Sequence, residues 1–194
     1  MSRLISKFFL WIFRWKINPV MPKEVHEQCV MICAPHTSNW DFPLAMWVMS
    51  ALHVKFKFTI KNEWMKSSFA WFFRWMGGIG IDRKPKVAGE ERKSMTDAMA
   101  ELFKTNKELC LMVTAEGSRK LCKQWKTGFY YVALAASVPI VLAYLDYEKK
   151  EAGIGKVIYP TGDIEKDMRE IMVFYKDIKA KFPAQFSLDD RYPV

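Results

Sequence analysis

His36 and Asp41, five positions apart, are the pair in this 194-residue chain best suited to move a proton. An imidazole changes charge near neutrality, and a carboxylate set against its Nδ1–H fixes the tautomer and leaves Nε2 as a base. On one continuous helix, five residues at about 100° each would stand about 140° apart, so the two groups meet only if the segment between them turns. The flanking residues predict such a turn. Val30 to Ala34 is a short apolar run, β-branched at two positions and stopped by Pro35, which reads as a buried strand. Thr37-Ser38-Asn39 reads as a turn and Phe42 to Leu52 as a helix, with Asp41 as its N-cap and Pro43 in its first turn. These residues alone leave two readings open: an acid/base dyad, or a capping aspartate beside a solvated loop histidine.

Two further stretches carry charge at the ends of apolar runs. In Gly77-Gly78-Ile79-Gly80-Ile81-Asp82-Arg83 the third glycine of a dinucleotide fingerprint is missing. A glycine-led strand with Arg83 at its end would instead aim a guanidinium at a phosphate, or pair with an acid at the surface. Leu109 to Val113 reads as a buried strand leading to Glu116-Gly117-Ser118-Arg119, at the carboxyl end where α/β sheets bind ligands. Lys120, Lys123 and Lys126 extend the positive charge. Lys126, just before Thr127-Gly128, is placed nearest the site, and the other two toward solvent or lipid phosphates.

Together with Val138-Pro139-Ile140, these stretches resemble, in order and separation, the four motif blocks of the glycerolipid acyltransferase family, whose best-known members acylate lysophosphatidic acid. The resemblance implies that His36 and Asp41 act as a general-base dyad. It also implies that Arg83, Glu116, Gly117, Ser118 and Arg119 hold the acceptor, with Arg119 on its phosphate and Glu116 on a hydroxyl or an arginine. Thr114-Ala115 stands where the family usually has Phe-Pro, and Ser118 where it has Thr. The implied reaction moves a fatty acyl group from acyl-CoA or acyl carrier protein to a lysophospholipid hydroxyl, lysophosphatidic acid first. Neither cofactor nor metal is expected. With no G-x-S-x-G elbow in the chain, transfer is expected to be direct, without an acyl-enzyme. Two rival readings are a lyso-form of an aminoacyl lipid as acceptor, and a non-enzymatic membrane-surface binding protein.

The elements expected to position these residues follow from composition and patterning. The length suits one domain. Net charge is +9, and residues 1–86 hold most of it, with 13 Lys and Arg against 5 Asp and Glu. Aromatics interleaved with that charge, and no zinc-finger spacing or RNP motif, favour an anionic bilayer over nucleic acid. Residues 3–16 read as an amphipathic helix with Arg3, Lys7 and Arg14 in one stripe, which Leu10 interrupts. Its apolar run, Phe8 to Phe13, is far short of the roughly 20 residues that span hydrocarbon. The helix is expected either in the headgroup layer or packed on its own domain. Residues 1–18 form the interfacial helix and 19–194 the acyltransferase domain, peripheral on the cytoplasmic face of the membrane. Cys29, Cys33, Cys110 and Cys122 read as buried free thiols, and the histidines show no H-E-x-x-H.

Elsewhere the pattern predicts a half-exposed strand from Lys55 to Ile60, an amphipathic helix over 88–105 and a helix from Gly128 to Ala136. A strand from Pro139 to Leu145, another from Lys156 to Tyr159 and a capped helix from Ile164 to Lys181 follow. The aromatic stretch from Trp64 to Trp75 reads equally as a membrane-touching helix, the lid of an acyl groove or core packing. Alternation of strand and helix predicts an α/β domain with a mixed, largely parallel central sheet flanked by helices.

Overall fold

The computed structural model describes residues 2–61, 65–81 and 94–194. Among these residues seven strands form one sheet: β1 (Lys16–Ile17), β2 (Gln28–Ala34), β3 (Phe56–Lys61), β4 (Gly78–Ile81), β5 (Leu109–Val113), β6 (Ile140–Asp146) and β7 (Glu151–Ile158). Their spatial order is β1-β7-β6-β2-β5-β3-β4, and every pairing is parallel except β6 with β7. The expected mixed, largely parallel sheet is therefore present, with β2 at its centre.

The central strands are apolar on both sides because helices cover both faces. Alternate residues of β2 point opposite ways: Val30 and Ile32 pack with one cluster, Cys29 and Met31 with the other. Among the described residues the α-helices are α1 (Arg3–Ile12), α2 (Asp41–Ala51), α3 (Ala70–Trp75), α4 (Met95–Thr105), α5 (Gly128–Ala136) and α6 (Ile164–Tyr175). Connections β2-α2-β3 and β3-α3-β4 step toward one edge of the sheet, whereas β4-α4-β5 and β5-α5-β6 step back. Right-handed crossovers in opposite directions put their helices on opposite faces. Accordingly Phe103 of α4, Phe129 of α5 and Met168 of α6 share one cluster, and Leu10 of α1 joins Leu44 and Val48 of α2 in the other. Each buried aliphatic side chain contributes roughly 1.5–3 kcal/mol, against about 0–1 for an exposed ion pair such as Arg169–Glu165, so these two clusters hold the fold.

Several boundaries differ from the sequence expectation. Helix α1 ends at Ile12, not Lys16, because Arg14 turns left-handed at φ 59° and Trp15 N–H closes onto Leu10 C=O at 2.8 Å. This frees Lys16 and Ile17 to pair with Glu151 and Ala152 of β7. Strand β7 begins at Glu151, five residues before the expected start, as the return arm of a hairpin with β6. Helix α6 stops at Tyr175 rather than Lys181, and past its end the Tyr147 N–H donates to Lys179 C=O at 2.9 Å. Helix α4 begins at Met95, where Ser94 Oγ accepts the Asp97 N–H, and residues 88–93 of the expected helix lie outside the described residues.

Candidate active site

Strand β2 delivers the chain through a cis Ala34–Pro35 bond to the turn between His36 and Asp41. The turn closes as the spacing predicted: His36 Nδ1 lies 3.2 Å from Asp41 Oδ2. Asp41 is not the helix N-cap, however. It is the first residue of α2, and its carboxylate reaches backward instead of into the helix, with Oδ2 accepting the Thr37 and Ser38 N–H groups at 2.8 Å each. Oδ1 accepts the Tyr147 hydroxyl at 2.6 Å. Burial alone would raise this carboxyl's pKa, but the hydrogen bonds from His36, Tyr147 and Ser38 overcome it and hold Asp41 below the usual carboxylate range. An anion is thus fixed against Nδ1, and the imidazole, 19 % exposed, can offer Nε2 as a base.

Because β2 and β5 pair in register, with Ile32 opposite Val113, the turn after β5 lies beside the turn after β2. Glu116 Oε1 accepts the His36 N–H at 2.6 Å, while Oε2 is buried with no hydrogen-bond partner among the described residues. Burial pushes this carboxyl up to about 7, against the opposing pull of the His36 N–H and imidazole. Glu116 therefore braces the backbone of His36, where the sequence suggested a substrate hydroxyl or an arginine. Gly117 sits at φ 69°, and a Cβ there would meet the Lys126 side chain at 3.0 Å, so the turn requires glycine.

The two turns and residues 181–185 enclose a cleft of about 850 Å³. His36, Gly117, Ser118 and Arg119 line it, with Asn39, Trp40, Lys120, Lys181, Phe182 and Gln185. Lys126 does not line it. Its stem lies over Gly117, and Lys120 and Lys181 supply the cations in its place, against the sequence expectation. Arg83 lies outside the described residues. Gln185, with its amide oriented to donate, ties Thr37 C=O (3.1 Å) to Arg119 C=O (2.8 Å) across the cleft. Lys181 Nζ stands 5.7–5.9 Å from the rings of Trp40, Phe182 and Tyr147. Behind Trp40 a smaller apolar cavity of about 160 Å³ is lined by Phe13, Trp15, Leu44, Trp47 and Tyr147.

The thiol of Cys33 is pushed up to about 12 by burial, with Asp41 and Glu116 adding to the effect, so it is unsuited to nucleophilic attack at neutral pH. Among the described residues no cluster of three or more His, Cys, Asp or Glu could hold a metal, and no helix is long and apolar enough to cross a membrane.

Tyr147 was invisible to motif reading. The signal for it was topological: it immediately follows β6, the parallel neighbour of β2, and the pairing of Ala34 with Tyr144 brings residues 144–147 to the dyad. A hydrogen bond to a charged group contributes about 1.5–3 kcal/mol. Tyr147→Phe, which keeps the ring against Trp15, is therefore expected to lower kcat by roughly ten- to a hundredfold with KM little changed. Steady-state kinetics in wild-type and Asp41→Asn backgrounds check this, because the loss should nearly vanish once the carboxylate is gone.

A family model described as Acyltransferase matches residues 17–145. Among solved structures the chain is similar to the 1-acyl-sn-glycerophosphate (LPA) acyltransferase PlsC of Thermotoga maritima, at a TM-score of 0.54 and 14 % identity, over 87 % of this chain and 72 % of that one. At that identity the likeness speaks to the fold. No curated protein matches the chain.

Proposed function

The chain belongs to the acyltransferase family, and from that premise we propose that it moves a fatty acyl group from acyl-CoA or acyl carrier protein to the hydroxyl of a lysophospholipid, lysophosphatidic acid above others. One observation carries this reading: an imidazole held on a buried carboxylate at 3.2 Å faces a cleft lined by Arg119, Lys120 and Lys181.

In the proposed reaction His36 Nε2 takes the proton of the acceptor hydroxyl as its oxygen attacks the thioester carbonyl. Asp41 stabilises the imidazolium that results. The tetrahedral adduct collapses, the C–S bond breaks, and the leaving thiolate receives the proton from His36. No bond to the enzyme is required, since a thiolate already leaves well. The N–H groups of Thr37 and Ser38 are both committed to Asp41, so they do not supply an oxyanion hole, and a donor must come from elsewhere on the cleft wall.

Arg119 and Lys120 suit a phosphate monoester, with Arg83 proposed as a further ligand. The aromatic cavity behind Trp40 suits part of an acyl chain. Helix α1 supports a peripheral position on the cytoplasmic leaflet, where the donors are found: Leu4 is 78 % and Trp11 74 % exposed, flanked by Arg3, Lys7 and Arg14. Such a helix shortens the path of a lipid acceptor out of the bilayer.

The test is a panel of lysolipids assayed with labelled acyl-CoA and acyl carrier protein. Thiol release is expected only with an acceptor present, and fastest with lysophosphatidic acid, by at least about tenfold over lysophosphatidylcholine, which lacks the monoester. A preference for a lyso-aminoacyl lipid would replace the acceptor, and no release with any of them would remove the enzymatic reading.

A further inference from the structure

The described aromatics before β4 are largely exposed. In and beside α3, Phe69, Trp71 (68 % exposed) and Trp75 (62 %) face outward, and none of them lines the catalytic cleft. Chain topology puts α3 on the same face of the sheet as α2, and α1 packs on that face through Leu10 and through stacking of Phe9 on Trp47 at 4.9 Å. Two aromatic projections therefore flank α2 on a single layer. Between α2 and α3 runs a groove of about 410 Å³ whose lining combines the cations Lys55, Lys57 and Arg74 with the apolar Met46, Phe56 and Trp75.

We infer that α3 and this groove form a second contact with the bilayer, so that the protein lies on the membrane by the whole α1-α2-α3 layer. Trp71, Trp75 and Phe69 enter the headgroup layer, and Lys55, Lys57 and Arg74 meet the phosphates of anionic phospholipids. The pairing of aromatic and basic side chains decides the occupant. Rings of this kind settle at the interface between hydrocarbon and water, and the cations complement a negative leaflet. Two contacts on one layer also fix orientation, which a single helix leaves free to rotate, and so hold the cleft at a constant height above the lipid. The inference rests on the interfacial reading of α1 but demands more than that reading does.

The test uses the full chain and vesicles of phosphatidylcholine with about one-third phosphatidylglycerol, read by co-sedimentation at low salt. Trp71→Ser/Trp75→Ser is expected to weaken binding by about tenfold or more, with unchanged circular dichroism and unchanged turnover of a short-chain, monomeric lysolipid. Lys55→Gln/Arg74→Gln is expected to reduce the preference for these vesicles over pure phosphatidylcholine. A comparison variant, Leu4→Ser/Phe8→Ser/Trp11→Ser, reports on α1 alone. If it loses binding while the α3 variant binds like wild type, the second contact is overturned and the α1 reading stands. If neither loses binding, both fall. A concentration-dependent dimer in sedimentation velocity that the α3 substitutions abolish would assign this face to a second copy of the chain, and would also overturn the inference.

Discussion

His36→Ala is expected to lower kcat by roughly 10²–10⁴ with the fold intact, because a positioned general base accounts for about that factor. The substitution leaves Asp41 with the Thr37 and Ser38 N–H groups and the Tyr147 hydroxyl, so no buried charge is stranded. The His36 backbone N–H still bonds Glu116. Turnover should therefore collapse while the thermal midpoint moves little. Calorimetry beside a thiol-release assay separates the two effects, and a variant retaining most of its activity would take the imidazole out of the reaction.

Asp41 is expected to divide into two parts according to what replaces it. Asparagine can keep an oxygen on the Thr37 and Ser38 N–H groups, so the turn survives and the loss is that of the negative charge opposite the imidazolium. A fall in kcat of about 10²–10³ follows, with little change in stability. Alanine removes the acceptor altogether. Two buried N–H groups then lack a partner, at about 1–3 kcal/mol each, so Asp41→Ala should unfold several degrees earlier and lose turnover through a disordered turn as well. If Asn keeps wild-type turnover while Ala loses both turnover and stability, the carboxylate acts only through the turn.

The division between what the residues announced and what they hid follows from range. The closing of His36 on Asp41 depends on Pro35 ending a strand and α2 starting four residues after Thr37, all local matters, and the sequence contained them. The sheet was legible for the same reason, since β2, β5 and β6 are apolar runs that only a doubly covered sheet can bury. Asp41 alone is open to two readings, helix cap or partner of His36, because an aspartate before an apolar helix has both uses, and only the turn geometry decides between them. Glu116 and Tyr147 were hidden more deeply. Their bonds to the His36 N–H and to Asp41 cross 80 and 106 positions, and strand order, not motif, brings them together. Lys181 was assigned to a helix end because the periodicity of α6 runs on through Ile178. The helix ends at Tyr175, and beyond it the Tyr147 N–H bonds Lys179 C=O, another long-range contact, with Lys181 on the cleft wall.

Direct transfer driven by His36 is the claim on which the rest depends, and rapid-quench measurement of free thiol from acyl-CoA tests it most directly. Wild-type enzyme is expected to release thiol only when lysophosphatidic acid is present, one for each diacyl product, and the His36→Ala variant to release almost none. A burst of thiol equal to the enzyme concentration without acceptor, or an undiminished rate in the His36→Ala variant, would contradict it.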